Sequence, residues 1–268
     1  MFPDNVKFIS TPRFIEGGAG ADCFGNFNLA LHVGDESSAV SANRKFLEKH
    51  YKLPSSPQWI NQTHSSVCIR LDSKFSSVEA DASYSRTSGV VCGVLTADCM
   101  PVFVCDKRGT VIGIAHAGWR GLVGGVLTAD CMPVFVCDKQ GTVVGIAHAG
   151  WRGLVGGVIE SLIEEIDVAG SELMVHLGPA ISQSAYEVGS EVKTQFLDRN
   201  SIFERSFIEK NSKHYLDLYD GAKVILEGYG ITSISGGDCC TYEDSKQFFS
   251  YRRDGECSGR MAHLIWMV

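Results

Sequence analysis

The clearest pattern of apolar and polar positions lies between residues 154 and 166. Seven apolar side chains recur there at spacings of three and four residues: Leu154, Val155, Val158, Ile159, Leu162, Ile163 and Ile166. Glutamates occupy the opposite face, and Gly170 follows as the expected stop. This pattern predicts an amphipathic helix. A second helix is predicted over residues 40–51, where good helix formers predominate.

Several shorter segments have the patterns of β-strands. Residues 67–71 alternate apolar and polar side chains, and residues 89–96 and 101–106 are rich in apolar, β-branched residues. A DKRG turn and the returning segment TVIGIAH complete a predicted hairpin, and the C-terminal AHLIWMV predicts a closing strand. Helices and strands mix without regular βαβ spacing, and no linker divides the chain. We therefore expect one α+β domain over residues 1–268, a mixed β-sheet with flanking helices.

A tandem repeat occupies the centre of the chain. Residues 126–157 repeat residues 94–125 with two differences, Gln140 for Arg108 and Val144 for Ile112. Solenoid repeats occur at least three times and drift in sequence, whereas these two copies are nearly identical. The pattern therefore indicates a duplication inside one domain.

Composition and charge narrow the classes of function. With 44% hydrophobic residues and a formal net charge of −7, the chain can build a core and is not attracted to nucleic acid or anionic lipid. It has no run of 18 apolar residues, and its first residues lack the pattern of a signal peptide. We expect a cytoplasmic protein that binds neither nucleic acid nor membranes. We therefore expect its ten cysteines to be reduced thiols, one of which could be a metal ligand.

The repeat contains cysteine and histidine residues that could bind a metal. Each copy places a Cys before one strand of the hairpin and a His near the end of the other, which gives the pairs Cys99 with His116 and Cys131 with His148. His64, just before a predicted strand, could add a third ligand. Thiolate and imidazole suit Zn²⁺, and three protein ligands would leave one position open. The alternative is that these side chains are only buried in strands.

Three further segments carry charged groups of functional interest. Arg152 in HAGWRG precedes the long helix and could bind an anion such as phosphate; a solvated Arg is the alternative. Asp98 and Asp130, each beside a candidate Cys, could orient a ligand or act as a base, or could simply form turns. Arg252 and Arg253 in FFSYRRDG could bind phosphate, although a strand leading into an Asp-Gly turn explains that segment equally well.

Taken together and in order, NQTHS, EADAS, LTADCMPV, IAHAGWRG, LGPAISQSAYEVG and FFSYRRDGECSGR resemble the laccase-domain family. This family of bacterial cytosolic proteins is also called the purine nucleoside phosphorylase or polyphenol oxidoreductase family. The resemblance runs from residue 25 to the C-terminus. It implies a zinc ion held by the His of QTH, the Cys of TADC and the His of HAGWRG, with phosphorolysis of purine nucleosides and deamination of adenosine as activities.

Carried over, these roles give His64, one of Cys99 or Cys131, and one of His116 or His148 as zinc ligands. Purine nucleoside and phosphate would be the substrates. Three alternative functions use overlapping residues: a cysteine hydrolase with Cys99 or Cys131 as nucleophile, a copper-dependent polyphenol oxidase, and a nucleoside-binding module without chemistry. The copper alternative ranks low because the chain has eight His and no His-x-His pair.

The residues flanking the two copies favour one His over the other. After the second copy the apolar stripe continues as a helix, whereas after the first it meets Asp130 and Pro133, and proline in a helix interior costs about 3 kcal/mol. His148 is therefore the predicted ligand. Cys99 is slightly preferred to Cys131, on the expectation that an insertion at the hairpin tip would extrude residues from about 107 to 138.

Overall fold

The computed structural model describes residues 2–20, 22–62, 67–71, 79–80, 82–97, 100–105, 112–117, 132–138 and 144–268. Fifteen strands lie in this described part of the chain. In chain order they are β1 Val6–Ser10, β2 Gln58–Trp59, β3 Cys68–Arg70, β4 Ala82–Ser85, β5 Cys92–Thr96, β6 Met100–Cys105, β7 Ile112–Ala117, β8 Met132–Asp138, β9 Val144–Ala149, β10 Leu173–Leu177, β11 Glu187–Val188, β12 Phe207–Lys210, β13 Lys213–Leu216, β14 Ser233–Gly236 and β15 Met261–Met267.

Six α-helices lie in the same described ranges: α1 Ser37–His50, α2 Trp151–Gly156, α3 Val158–Ile166, α4 Ser190–Arg199, α5 Leu218–Gly228 and α6 Tyr251–Asp254. Short 3₁₀ turns occur at Asp22–Phe24, Gly170–Glu172, Gln183–Ala185, Ser201–Ser206 and Gly255–Cys257. Helices and strands of both orientations confirm the predicted α+β class. The helix predicted over residues 40–51 is confirmed as α1.

The smaller of the two main sheets is built around the C-terminal strand. Its order is β1-β15-β5-β2, with β15 antiparallel to both β1 and β5. All seven residues of β15 are buried. A strand covered on both faces has a continuous apolar run rather than an alternating one, which is why AHLIWMV is nearly uniformly apolar. The predicted closing strand is thereby confirmed.

The larger sheet contains both copies of the repeat. Its strand order is β14-β10-β8-β9-β6-β7-β4-β3, and β9 also pairs with β4. Each copy forms the predicted antiparallel hairpin, β6 with β7 and β8 with β9. The expectation that residues from about 107 to 138 are extruded from the sheet is wrong for β8, because β8 lies within the sheet and pairs with β10 over five residues. Near-identical sequences form the same hairpin, and both hairpins join the sheet.

The long helix after the second copy is interrupted. Gly157 adopts a left-handed conformation with φ of 84° and separates α2 from α3, so the single predicted helix is two helices. Glycine takes such a conformation without steric cost, which explains the break. The apolar stripe itself is confirmed, since five of its residues are buried in α3: Val158, Ile159, Leu162, Ile163 and Ile166. The helix ends at Ile166, before the expected stop at Gly170.

Two further helices and a small sheet complete the part of the core that borders the candidate site. The sheet has the order β11-β13-β12. Helices α4 and α5 bury Phe196, Leu218 and Leu226 in the same apolar core as α3. FFSYRRDG forms the four-residue helix α6 and not a strand, because Ser250 caps it by accepting a hydrogen bond from the Arg253 N–H. No helix among the described residues is long and apolar enough to cross a bilayer.

Candidate active site

A cavity of about 520 Å³ opens where α2, α4 and α6 approach one another. It is lined by residues of these helices and of the segment that follows the loop GPAISQSA: Trp151, Arg152, Tyr186, Glu187, Val188, Gly189, Glu191, Val192 and Arg252. The volume lies within the range of small-molecule sites. Two of the arginines that the sequence singles out, Arg152 and Arg252, therefore lie on the wall of one cavity although 100 residues separate them in the chain.

Both arginines are supported by aromatic rings. The guanidinium carbon of Arg152 lies 4.0 Å from the centre of the Trp151 ring, and that of Arg252 lies 5.3 Å from the centre of the Tyr186 ring. The two rings are almost fully buried, with exposures of 6% and 1%. Cation–π contacts of this kind restrict the orientation of the two guanidinium groups at the cavity wall. Arg252 also donates a hydrogen bond of 3.2 Å to the Glu187 carbonyl oxygen.

Arg253 lies beside Arg252 but has a different environment. Its guanidinium donates to the carbonyl oxygens of Thr241, Tyr242 and Phe248 at 2.8–3.0 Å. It also donates to both carboxylate oxygens of Asp254 at 2.8 Å. A guanidinium has five N–H donors, and Arg253 makes five such hydrogen bonds, so it has little capacity left to bind a ligand. Arg253 thus holds the loop before α6, and the structure brings Arg252, not Arg253, to the cavity.

Two glutamates, Glu187 and Glu191, are among the residues that line the same cavity. Glu187 forms an ion pair of 2.8 Å with Lys213, whose pKa is raised by this hydrogen bond. Glu191 lies in the first turn of α4, and its carboxylate occupies the space that a Cβ at Gly189 would need. Because Lys213 offsets Glu187, the cavity retains a small positive balance, and it offers both guanidinium donors and carboxylate acceptors.

The loop that leads into this wall is held by Tyr219 of α5. Its hydroxyl oxygen accepts a hydrogen bond from the Ala180 N–H at 2.9 Å and lies 2.9 Å from the Cys239 carbonyl oxygen and 3.1 Å from the Gly178 carbonyl oxygen. Burial raises the pKa of this phenol far above its usual range, so the group is neutral at all physiological pH values. The hydroxyl therefore acts as a fixed anchor for residues 178–186.

Most of the predicted metal ligands lie outside the described residues: His64, Cys99 and Cys131, with the neighbouring Asp98 and Asp130. His116 and His148 lie in β7 and β9, and the backbone register pairs Pro101 with His116 and Pro133 with His148. Among the described side chains, no three His, Cys, Asp or Glu residues form a metal-binding group. The zinc ligands stay a prediction.

The path of the chain nevertheless connects His148 to the cavity. Strand β9 ends at Ala149, Gly150 follows, and α2 begins at Trp151. Arg152 is four positions after His148 in the chain, so their Cα atoms are at most about 14 Å apart. The end of β9 therefore lies next to the arginine-lined cavity.

The comparisons with known proteins place the chain in a family. The family profile described as multi-copper polyphenol oxidoreductase laccase matches residues 9–128 and again residues 125–268. The chain belongs to this laccase family. The boundary between the two matches falls close to the boundary between the two copies of the repeat, so each match includes one complete copy.

Members of the laccase family with assigned names resemble the chain over nearly its full length. Purine nucleoside phosphorylase YfiH of Escherichia coli is 36% identical over 99% of this chain and 96% of the relative, and purine nucleoside phosphorylase PA4543 of Pseudomonas aeruginosa is 34% identical over 99% and 95%. Among solved structures, protein NMB0706 of Neisseria meningitidis is 37% identical, covers 99% of this chain and 96% of its own, and superposes with a TM-score of 0.81.

Two groups on the cavity wall were not predicted as site residues from the sequence. Tyr186 and Glu191 lie within and just after the motif LGPAISQSAYEVG, which entered the family resemblance without any role for its residues. The unusual run of small residues before an aromatic residue was the available signal. It could not show that Tyr186 lies beneath Arg252, because that contact joins distant parts of the chain.

Proposed function

We propose that this chain is a zinc-dependent purine nucleoside enzyme that cleaves nucleosides with phosphate and also deaminates adenosine. The observation that carries the proposal is the cavity that joins Arg152 and Arg252 at the end of β9, four residues from His148. The names of relatives at 34–36% identity support the reaction class.

The groups on the cavity wall match the parts of the proposed substrates. Arginine is well suited to phosphate because its N–H donors form paired hydrogen bonds to the oxygens. Carboxylates such as Glu191 accept hydrogen bonds from sugar hydroxyls. A site with both groups therefore suits a ribosyl group and a phosphate together, which are also the two parts of the product ribose 1-phosphate.

In the proposed phosphorolysis, Arg152 and Arg252 hold phosphate with one oxygen directed at C1′ of the ribose. That oxygen forms a bond to C1′ while the bond from C1′ to the purine nitrogen breaks, and the electron pair leaves with the base. The departing purine gains the proton that the attacking hydrogen phosphate loses, and Asp98 or Asp130 is the proposed group that passes this proton on. The arginines lower the barrier by fixing the phosphate in position before the reaction.

The proposed zinc ligands are His64, His148 and a cysteine. The chemistry of two imidazoles and one thiolate fits zinc with one open position. The β8–β9 ladder extends to the pairs Pro133 with His148 and Met132 with Ala149, so Cys131 directly precedes the strand beside His148. Strand β6 also pairs with β9, but that ladder ends at Phe103 with Ile146, so the longer β8–β9 ladder favours Cys131 over Cys99 and reverses the preference from the sequence. When bound, zinc would supply a Lewis acid at the edge of the cavity.

The proposal is tested by identifying products. Purified protein of measured zinc content is incubated with inosine or adenosine, with and without phosphate, and the products are separated by chromatography. We expect free base only when phosphate is present, and conversion of adenosine to inosine in either condition. Identical products with and without phosphate would refute phosphorolysis. Oxidation of a phenol by the copper-loaded protein, with no turnover of nucleosides, would favour the polyphenol oxidase alternative.

The role of the arginine is tested with a pair matched by the repeat. Arg152 and Arg120 occupy the same position of the two copies. We expect Arg152→Ala to raise the KM for phosphate about 30-fold, the scale of one or two hydrogen bonds to a charged group, without loss of zinc. Arg120→Ala should leave this KM unchanged. A variant of Arg152 with an unaltered KM for phosphate would remove this residue from the proposed site.

The same protein preparations also test two alternative functions, a cysteine hydrolase and a binding module without chemistry. A hydrolase with Cys99 or Cys131 as nucleophile would work without zinc, so full activity after removal of the metal would favour it. Binding of nucleoside without any turnover in zinc-replete protein would favour the binding module.

A further inference from the structure

The second turn of α2 is attached to α4 and α3 through one side chain. Arg199, the last residue of α4, donates hydrogen bonds to the carbonyl oxygens of Leu154 and Val155 in α2. Its guanidinium also forms an ion pair with Glu160 in the first turn of α3. We define Arg199, Glu160 and the two carbonyl groups as the clamp.

The clamp adds donors to two carbonyl oxygens of a short helix, one of which, that of Leu154, also accepts from the Gly157 N–H at 3.4 Å. The last carbonyl oxygens of any helix lack partners within it, and an isolated six-residue helix is unstable in water. The N-cap residue of α2 is Gly150, which has no side chain with which to cap the helix. A guanidinium at the C-terminal carbonyls also has a favourable interaction with the helix dipole. The order of α2 therefore depends on this contact together with the burial of Trp151 and Leu154.

The clamp and the cavity lie at opposite ends of the same two helices. The first turns of α2 and α4 line the cavity through Arg152 and Glu191, whereas Leu154 and Arg199 near the other ends form the clamp. Helices α2 and α4 thus contribute to both the cavity and the clamp. We therefore expect a change in their packing at the clamp to alter the separation of Arg152 from Glu191 at the cavity.

The turn at Gly157 brings the ion pair into place. A Cβ at Gly157 would lie 3.8 Å from the Glu160 carboxylate and 4.0 Å from the guanidinium of Arg199, so the glycine backbone directly adjoins both groups. The side chains of Arg199 and Glu160 are 28% and 15% exposed. An ion pair with this burial is more strongly coupled than one in open solvent.

The glutamate that this clamp requires lies just beyond the second copy and has no counterpart beyond the first. Glu160 lies three residues after the end of the second copy. The residue three positions after the end of the first copy is Thr128, and Pro133 follows shortly after it. The side chain of Arg199 already contacts the second copy. The clamp therefore distinguishes two segments whose own sequences are nearly identical.

We propose that Arg199 and Glu160 are positioning residues that hold α2 so that Arg152 points into the anion site. This inference rests on the proposed function, because it assigns the clamp a role in phosphate binding. Neither residue lines the cavity or touches the substrate in this account. The clamp acts through Arg152.

The test compares four variants by steady-state kinetics with inosine and inorganic phosphate, together with zinc content and thermal unfolding. Arg199→Gln removes the charge and three of the five N–H donors, and Arg199→Lys keeps the charge. Lys193→Gln is the matched control. Lys193 also lies in α4, but it forms its ion pair of 2.7 Å with Glu204, which belongs to the 3₁₀ turn Ser201–Ser206 and not to α2. The double variant Arg152→Ala/Arg199→Gln measures whether the two residues act together.

We expect Arg199→Gln to raise the KM for phosphate about tenfold through misplacement of Arg152, with the KM for inosine unchanged. Arg199→Lys should recover part of this loss, and Lys193→Gln should have no effect. In the Arg152→Ala background, Arg199→Gln should add nothing, because its action requires Arg152. A purely structural role would instead lower kcat and the unfolding temperature without selectivity for phosphate.

Three results would overturn the inference and can be told apart. If Arg152→Ala raises the KM for phosphate while Arg199→Gln does not, the clamp has no positioning role and the proposed anion site stands. If Arg152→Ala itself leaves the KM unchanged, the anion site is wrong and the clamp's role falls with it. Additive effects in the double variant would also contradict action through Arg152.

Discussion

The two copies of the repeat fold alike and are connected differently. Both form an antiparallel hairpin in the larger sheet. The second hairpin pairs with β10 over five residues and with β4 over three, and it continues directly into α2. The first hairpin pairs its strand β7 with β4 at a single position. A 32-residue sequence thus determines a hairpin, whereas the residues beyond it determine which elements the hairpin joins.

This comparison has a physical basis in the flanking residues. After HAGWRG of the second copy, the apolar stripe of α3 buries against the core, and the clamp holds α2. After the first copy, the corresponding positions contain Asp130 and Pro133, which do not support the same helix. Matched substitutions in the two copies therefore separate effects of local sequence from effects of context.

The largest difference is expected at the cysteines. Cys131→Ser should reduce bound zinc from about one per chain to well below that value, because one of three ligands is lost. Cys99→Ser should retain zinc. Elemental analysis of both purified variants makes the comparison. Loss of zinc in Cys99→Ser alone would show that the ligand comes from the first copy, as the sequence favoured.

A smaller effect on stability is expected at the leucines of the two copies. Leu154 is fully buried, and Leu154→Ala should lower the free energy of unfolding by about 3 kcal/mol through lost burial and the cavity left behind. Leu122, at the same position of the first copy, lacks a continuing apolar stripe, and Leu122→Ala should cost less than about 1 kcal/mol. Urea unfolding measures both values, and equal losses would contradict the asymmetry.

The smallest effect concerns the pH dependence of stability at Glu160, which has no counterpart in the first copy. Burial raises the pKa of Glu160, and the nearby charge of Arg199 lowers it only in part. A carboxyl whose pKa is higher in the folded state than in the unfolded state stabilises the fold below the unfolded pKa, and this contribution is lost as pH rises through the folded value.

The free energy of unfolding of the wild type, measured against that of Glu160→Gln, should therefore decline as pH rises from about 4 toward neutrality. Parallel curves for the two proteins over this range would show that Glu160 titrates normally. Glu165→Gln is the control, since it changes a glutamate of the same helix that is exposed.

Strong local patterns allowed much of the fold to be predicted. The stripe of α3, the helix α1, the hairpins and the buried strand β15 all follow from periodicity or from uniform apolarity. The break at Gly157 was missed because glycine in a helical pattern is compatible with either continuation or a left-handed turn. FFSYRRDG was ambiguous in the same way, since its Ser cap and its Asp-Gly pair favour different structures.

The candidate site was less accessible from sequence because its walls come from distant segments. Arg152 and Arg252 were both anticipated, but the cavity that joins them depends on the packing of α2 against α4 and α6. Arg253 could not be distinguished from Arg252 by sequence, since only the fold shows that its donors face the carbonyl groups of Thr241, Tyr242 and Phe248. The role of Arg199 has no local signal at all.

The central claim is that the second copy, and not the first, builds the active site. The most direct measurement is of zinc content and of phosphate-dependent release of free base from inosine in the two variants His148→Ala and His116→Ala. The account predicts that His148→Ala loses both zinc and activity, whereas His116→Ala keeps both. Loss of zinc and activity in His116→Ala, with both retained in His148→Ala, would contradict it.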